Sequence, residues 1–499
     1  SGLYQIKIRN MQVDNVTKDA MEMNLANPTE DIVCAIDIGT SKIAAIVGRK
    51  NEHGKIEILG IGNCPSFGVQ RGAVVNIART VESIKKAVMI AERQSGIKFK
   101  KVHIGIAGQH IRSLQHRGIL TRNNNDTWID YEDIKKLKDE MRKLALPPGD
   151  TILHVLPQEY IVDNEPGIYS EPIGMMGIRL EGNFHIITAS ESAVRNIERC
   201  ITIAGLEVAT IELEPLASAD AVLSKEELEG GVCLVDIGGG TTDIAIFENF
   251  VIRHTAVIPF GGNIISEDLK DFKILKEQAE ILKKTYGSAV PFEDLRNKHV
   301  SIQGVGGARA IGKNEVNLLA VAKVISARMK EILAHVNYQI GLSKLEKKLI
   351  GGIVLTGGGS QLKHLIQLVE NETGQSARLG YPREHLAPSK ISDVDNPIYA
   401  TGIGLIIRGF NLREEAKAYN LNNDIEEQAV QPQPIEIMVE NTFEPFISDE
   451  TSININEPII DEVIEEKPKV EVEEPTKPKK ISLISSLTKW LKEDIEDFK

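Results

Sequence analysis

The sequence predicts a two-lobed α/β fold in which one domain is duplicated, followed by an acidic flexible linker and a terminal amphipathic helix. Three observations carry that expectation. Cys34-Ala-Ile-Asp-Ile-Gly-Thr-Ser41 and Cys233-Leu-Val-Asp-Ile-Gly-Gly-Gly-Thr-Thr242 repeat one design: an apolar strand, an aspartate and a turn of small residues. The elements after each copy come in the same order, as expected of an internal repeat. Beyond Phe410 the chain becomes acidic and loses its periodicity.

The first copy opens with apolar strands at residues 32–36 and 43–47 and an alternating run from Ile56, a three-stranded meander. A helix follows over 77–94, with Ile77, Val81, Ile84, Val88 and Ala91 on one face, and then a strand over 102–106. The second copy starts at 232–235, continues at 243–247 and 251–257, and becomes helical after Gly261-Gly262. The first lobe core is expected at 31–111 and 190–230, with a connecting helix over 191–205. It is interrupted at 112–189 by a small α/β subdomain with a helix over 131–144, the break Pro147-Pro148-Gly149, and strands over 152–155 and 160–162. The second lobe core, 231–262 and 350–410, is interrupted by 263–349, read as mostly helical with runs at 277–285 and 316–340. Residues 411–480 cannot bury enough apolar surface to fold and read as linker, and helical periodicity returns over 481–499. Residues 1–30 lack a pattern and read as a disordered extension.

The bulk numbers exclude several functions. A chain of 499 residues with 42% hydrophobic content accommodates two or three compact domains. The formal charge of −13 resides almost wholly in residues 424–474, which carry sixteen acidic and two basic side chains. The rest is close to neutral and has no basic stripe with interleaved aromatics, so nucleic acid is not an expected partner. The four cysteines, Cys34, Cys64, Cys200 and Cys233, form no Cys-x-x-Cys pair and have no histidine-rich surroundings, so neither a zinc site nor a disulfide framework is indicated and a reducing compartment fits best. No apolar run reaches the length of a membrane span, and no signal peptide is recognisable.

Turns of Gly and Thr aim several backbone N–H groups at one point and attract phosphate oxygens. The candidates are Gly39, Thr40, Ser41 and Lys42 in the first copy, and Gly238, Gly239, Gly240, Thr241 and Thr242 in the second. Asp37 and Asp236, at the strand ends, are placed to hold a hydrated Mg²⁺, which keeps most of its water and prefers oxygen ligands. A third cluster, Gly357, Gly358 and Gly359, follows the apolar strand 353–355 and precedes a helix starting near Gln361, a turn suited to close approach of a flat adenine or ribose.

These turns, with Val102-His-Ile-Gly-Ile-Ala-Gly-Gln-His-Ile111, His154-Val-Leu-Pro-Gln-Glu-Tyr-Ile-Val-Asp163, Pro172-Ile-Gly-Met-Met-Gly177 and Ala279-Glu-Ile-Leu-Lys-Lys-Thr-Tyr-Gly287, give the chain its resemblance to a known group. The sequence resembles the actin-like ATPase superfamily and, within it, the FtsA cell-division family, over roughly residues 31–410 plus the final helix. The resemblance implies an actin-like ATPase fold with ATP and Mg²⁺ in the interlobe cleft, an inserted subdomain 1C at 112–189 and an inserted subdomain 2B at 263–349. It implies that Glu280 and Lys283 touch the nucleoside, that Gly357, Gly358 and Gly359 form the adenosine turn, and that Glu214 orients the attacking water. A carboxylate suits that task, because phosphoryl transfer rests on alignment and charge neutralisation; Glu214 read by itself equally serves as a helix-starting residue beside Pro215. At most weak hydrolysis is expected.

At about 100° per residue, residues 481–499 place Leu483, Ile484, Leu487, Trp490, Leu491, Ile495 and Phe498 on one arc of roughly 140°. Lys480, Lys489 and their neighbours Lys477, Lys479 and Lys492 favour anionic headgroups, and Trp490 suits the interface. Docking onto a partner helix or the protein's own lobes accounts for the same face. The resemblance implies membrane targeting, on a linker with a flexible-coil span of about 45 Å.

The function implied by the resemblance is an adaptor. It would bind ATP, self-associate into filaments on the cytoplasmic side of the inner membrane at the division septum, anchor the tubulin-like protein FtsZ through 263–349 and recruit later division proteins. A small-molecule kinase of the same superfamily is the alternative, and it leaves the acidic segment and terminal helix without a role. A heat-shock-type chaperone would require a folded substrate domain after Phe410.

Overall fold

The computed structural model describes residues 32–122, 128–303, 313–389 and 391–429, with side chains up to residue 417 except at 303, 313 and 314. The chain divides into units 1–431 and 432–499, and every described residue belongs to the first. The predicted terminal helix, with Lys480, Leu483, Ile484, Leu487, Lys489, Trp490 and Leu491, lies outside the described residues, as do residues 1–30.

The first lobe begins as expected, with β1 (Ile32–Ile38), β2 (Lys42–Lys50) and β3 (Ile56–Pro65) in an antiparallel meander. A hairpin of β4 (Val69–Gln70) and β5 (Ala73–Val74) leads into α1 (Ile77–Ser95). The Asn76 side chain accepts from the Arg79 amide at the start of α1, and Gly96, at φ 72°, ends it. After β6 (Lys101–Ile106) comes the insertion: β7 (Ile111–Thr121), α2 (Tyr131–Arg142), β8 (Asp150–Val162), β9 (Glu165–Ile168) and β10 (Arg179–Ser190). Its strands form the separate sheet β7-β10-β8-β9, whose core joins Ile134, Leu137 and Met141 of α2 to Tyr160 and Phe184. The two strands expected over 152–155 and 160–162 are one strand, β8. It runs through Pro157 because a register shift between Asn183 and Phe184 falls opposite the proline, relieving the ladder of its missing donor.

Helix α3 (Glu191–Ile203) and strand β11 (Glu207–Leu213) complete the first sheet, ordered β3-β2-β1-β6-β11. Helices α4 (Glu214–Val222) and α5 (Lys225–Gly230) carry the chain to the second lobe, which opens with β12 (Val232–Ile237), β13 (Thr242–Glu248) and β14 (Val251–Ile258). Next come α6 (Gly262–Asp268), α7 (Lys276–Tyr286), β15 (His299–Gln303), β16 (Lys313–Asn317) and α8 (Leu318–Ser343). The stretch 263–349 is thus not wholly helical: β15 and β16 pair antiparallel, and Val316, expected in the long helix, lies in β16. Strand β17 (Ile353–Thr356), helix α9 (Leu365–Thr373), strand β18 (Ala377–Leu379) and helix α10 (Ala400–Ala429) end the described chain.

The second sheet is ordered β14-β13-β12-β17-β18. In both sheets three antiparallel strands are followed by two that run parallel to the first strand of the copy. The repeated motif is therefore a repeated topology. Helices α4 and α10 share one core with both sheets: Val33, Ala35 and Ile46 from the first, Leu234, Ala245 and Val354 from the second, and Leu216, Ala217, Ile403 and Ile406 from the helices. Burial of each aliphatic side chain of this kind stabilises by about 1.5–3 kcal/mol. The helices cross so closely that a Cβ on Gly404 would lie 1.8 Å from the Ala217 carbonyl oxygen.

Helix α10 also corrects the linker boundary. It continues past Phe410, where the linker was expected to start, to Ala429. Polar contacts hold the extension: Arg413 Nη1 donates to the Ile32 carbonyl at 2.9 Å, and Lys50 pairs with Glu414. Apolar periodicity does not register such contacts. Among the described residues, no helix is long and apolar enough to cross a membrane.

Candidate functional site

Both copies turn back over a few small residues after their aspartate. Gly39, Thr40 and Ser41 join β1 to β2, and Gly238, Gly239, Gly240 and Thr241 join β12 to β13. The Gly238 amide is used within its own turn, donating to the Thr241 carbonyl at 2.9 Å. The amides of Thr40, Ser41, Gly239 and Gly240 donate to no acceptor among the described residues. The turns meet across the interlobe boundary. Ser41 Oγ donates to Asn263 Oδ1 at 3.2 Å, a Cβ on Gly239 would lie 1.9 Å from Ser41 Oγ, and one on Gly240 would lie 2.7 Å from Thr40 Oγ1. Only glycine permits that approach, and it brings unsatisfied donors from both lobes to one place. Thr242 holds its loop instead, its hydroxyl donating to the Phe260 carbonyl at 2.9 Å.

Behind the turns, carboxylates converge. Asp37, Asp236 and Asp243 are each under 8% exposed. Lys42, expected as a phosphate ligand, places Nζ 3.0 Å from Asp37 Oδ2 and 5.1 Å from the Tyr399 ring centroid. Asp236 Oδ2 accepts from Ser218 Oγ at 2.8 Å and Thr401 Oγ1 at 3.4 Å; burial still raises its pKa to about 6. Directly opposite Asp236 in the β12–β13 register is Asp243, raised to about 8 by burial and by Asp236. One of its oxygens accepts from Thr241 Oγ1 at 3.2 Å, and the other is buried with no partner among the described residues. Glu214, first residue of α4, is pushed well above the usual carboxylate range by burial and by the charges of Asp37, Asp243 and Asp236. Gly105 makes room for it, since a Cβ there would lie 2.8 Å from Glu214 Cγ.

Four buried carboxyl groups with Lys42 as their nearby cation resist ionising together unless further positive charge arrives, and one Asp243 oxygen has no hydrogen-bond partner among the described residues. Among the described residues no three such groups converge tightly enough to cage a metal alone. That donor set fits a magnesium ion, which takes one or two carboxylates and fills its shell with water and phosphate oxygens. Asp243, Ser218, Thr401 and Asn263 were not singled out in the sequence. Asp243 alone had a signal there, as the acidic end of Gly-Thr-Thr-Asp.

The third glycine turn packs against the second. Gly357 has φ 81°, and a Cβ on it would lie 2.2 Å from Asp236 Oδ1, while one on Gly359 would meet Ile237 Cγ2 at 2.3 Å. The expected helix near Gln361 is a 3-10 turn at Gly358–Gln361, with α9 beginning at Leu365. Lys283 Nζ donates to the Gly262 carbonyl at 2.6 Å and Ser266 Oγ at 2.8 Å, and pairs with Glu280 at 2.7 Å. Gly262 in turn donates to the Gly238 carbonyl at 2.9 Å, which ties α7 to the second turn. Burial works against ionised Glu280, but Lys283, Ser266 and Lys284 outweigh it and hold the carboxyl at about 2.

Comparison with known proteins places this geometry. Residues 233–404 match the family described as "Cell division protein FtsA", and residues 108–188 match "SHS2 domain inserted in FTSA", the span of the separate four-stranded sheet. The chain is 38% identical over 392 residues to the cell division protein FtsA of Pseudomonas aeruginosa, covering 78% of this chain and 92% of that one. The chain belongs to the FtsA family. FtsA of Neisseria meningitidis is 39% identical over 377 residues, 75% of this chain and 89% of its own. Among solved structures, the PilM-PilN type IV pilus biogenesis complex superposes with a TM-score of 0.55 at 16% identity, over 77% of this chain and 99% of that one, a likeness of fold alone. Membership explains why the FtsA topology is interrupted at the first lobe by its own sheet.

Proposed function

We propose that this FtsA-family chain binds Mg²⁺-ATP between its lobes, assembles into filaments on the cytoplasmic face of the inner membrane at the division septum, anchors FtsZ there and recruits later division proteins. The observation that carries the nucleotide reading is the meeting of two amide-rich turns, one per lobe, in front of buried carboxylates without enough positive charge. The amides of Thr40, Ser41, Gly239 and Gly240 would hold phosphate oxygens. Asp37 and Asp236 would hold the water shell of a cation that neutralises the phosphates. Gly357 and Gly359 pack this turn onto Asp236 and Ile237, exposed Gly358 leaves backbone open to the adenosine, and Glu280 and Lys283 would steady that side. Glu214 stands beside the carboxylates, where its carboxyl group would hold an attacking water in line. Weak hydrolysis fits a residue shared between a structural helix start and this role.

Family membership supports the division role, and the basic, apolar face of residues 481–499 supports membrane attachment. One short helix binds bilayers modestly, so attachment would strengthen as filaments bring several helices together. Sedimentation with anionic liposomes, for the full chain and a version ending at Pro478, tests the attachment. The full chain should pellet in the presence of ATP and the shortened one should not; equal behaviour of the two removes the anchor.

A further inference from the structure

The first lobe contains an element that its duplicate lacks. After β14 the second lobe passes at once through Gly261 into α6, whereas after β3 the first lobe inserts the β4–β5 hairpin before α1. The two residues joining β4 to β5, Arg71 and Gly72, both have positive φ, 48° and 75°. That is the backbone of a type I′ turn, which favours Asn, Asp or Gly at its first central position. An arginine there works against local preference, and strain of this kind gathers at functional sites.

The hairpin is wedged against both phosphate turns. The Gly72 amide donates to Thr40 Oγ1 at 3.2 Å, and Arg71 Cα lies 3.1 Å from the point a Gly240 Cβ would occupy. On its other side a Cβ on Gly72 would lie 2.5 Å from the Ala107 carbonyl oxygen, so the turn has no room to shift away. Arg71 is exposed, and among the described residues its guanidinium has no ion-pair partner. Its backbone is thus fixed within one side-chain length of the free amides of Thr40 and Gly240, while its charge is uncommitted.

We propose that Arg71 is the residue that recognises the terminal phosphate of a nucleoside triphosphate, so that the site distinguishes a triphosphate from a diphosphate. The inference rests on the nucleotide reading above and adds the cation that the carboxylate-rich site otherwise lacks on the phosphate side. A guanidinium suits the task because its planar donors match phosphate oxygens in pairs. Its place on a hairpin touching both turns lets one contact register the terminal phosphate in each lobe.

Calorimetric titration of the full chain with Mg²⁺-ATP and with Mg²⁺-ADP tests this, in wild type, R71A, R71G and R71K. R71G removes the guanidinium while suiting the positive φ, and ADP binding together with the melting temperature reports the fold. Arg71 removal should weaken ATP binding about tenfold or more, the size of a lost charged hydrogen bond, with ADP affinity nearly unchanged and R71K in between. If R71A and R71G keep the wild-type ATP-to-ADP ratio, Arg71 does not read the phosphate, though the nucleotide site stands. Wild type binding neither nucleotide would overturn the nucleotide reading itself, and this inference with it.

Discussion

The two turns have matching backbone topology and opposite electrostatics. In the first lobe Asp37 is paired with Lys42, and the residue across the strand pair from it is Ala44. In the second, Asp236 has only hydroxyls for partners among the described residues and faces Asp243, a second buried acid. Duplication preserved strand order and let the charges diverge. The consequence is a division of labour: the first turn is close to neutral and the second calls for a cation. A metal entering with a nucleotide should therefore depend on the second copy more than on the first.

The most damaging way to break the comparison is to part the helices both lobes share. Gly404→Val forces Cβ into the Ala217 carbonyl, so a loss of about 4 kcal/mol or more is expected, read as a collapse of soluble yield or melting temperature. A chain that melts as wild type would mean α4 and α10 do not couple the lobes. Next in size is the asymmetry of the aspartates. Asp236→Ala should lower Mg²⁺-ATP affinity on the order of tenfold or more. Asp37→Ala should cost less, because it frees Lys42 for phosphate. Equal losses by calorimetry would erase the distinction between the turns.

Asp243→Asn sharpens the comparison by making the second copy resemble the first. Removing one of two facing buried acids should raise the melting temperature of the nucleotide-free protein by about 2–4 °C while weakening Mg²⁺-ATP binding. A drop in both would assign Asp243 a purely structural role.

The smallest expected effect concerns acid. Burial lowers His185, whose Nε2 lies 3.0 Å from Thr255 Oγ1 of the second lobe, to about 4. The unfolded chain binds this proton near pH 6.5 and the folded chain resists it, so its stabilising share is full above 6.5 and is lost as pH falls toward 4. His103, lowered to about 3 by burial and by Arg413, adds to the same slope. His185→Gln should flatten the fall in melting temperature between pH 6.5 and 4, and an unchanged slope would show that His185 does not govern it.

Much of this architecture was legible in the sequence because local chemistry carries it. Alternating apolar runs placed the meanders, and Gly-rich residues after an aspartate placed the two turns that meet between the lobes. What was not legible depends on register and distance. Asp243 opposes Asp236 only once β12 and β13 pair, and Ser218 and Thr401 reach Asp236 from helices 18 and 165 positions away in the chain. The continuation of α10 past Phe410 rests on Arg413 and Glu414, whose partners Ile32 and Lys50 lie in the first lobe, at the start of the described chain. The β15–β16 hairpin was masked by the apolar run that becomes α8, since Val316 fits a helix pattern as well as a strand.

The central claim is that both turns grip one triphosphate. A crystal structure of the full chain grown with Mg²⁺ and a non-hydrolysable ATP analogue tests it most directly. The account predicts phosphate oxygens at about 2.7–3.2 Å from the amides of Thr40 or Ser41 and also from Gly239 or Gly240, with the cation's waters on Asp236. Phosphates bound to the amides of one turn alone, or density for the analogue elsewhere on the chain, would contradict it.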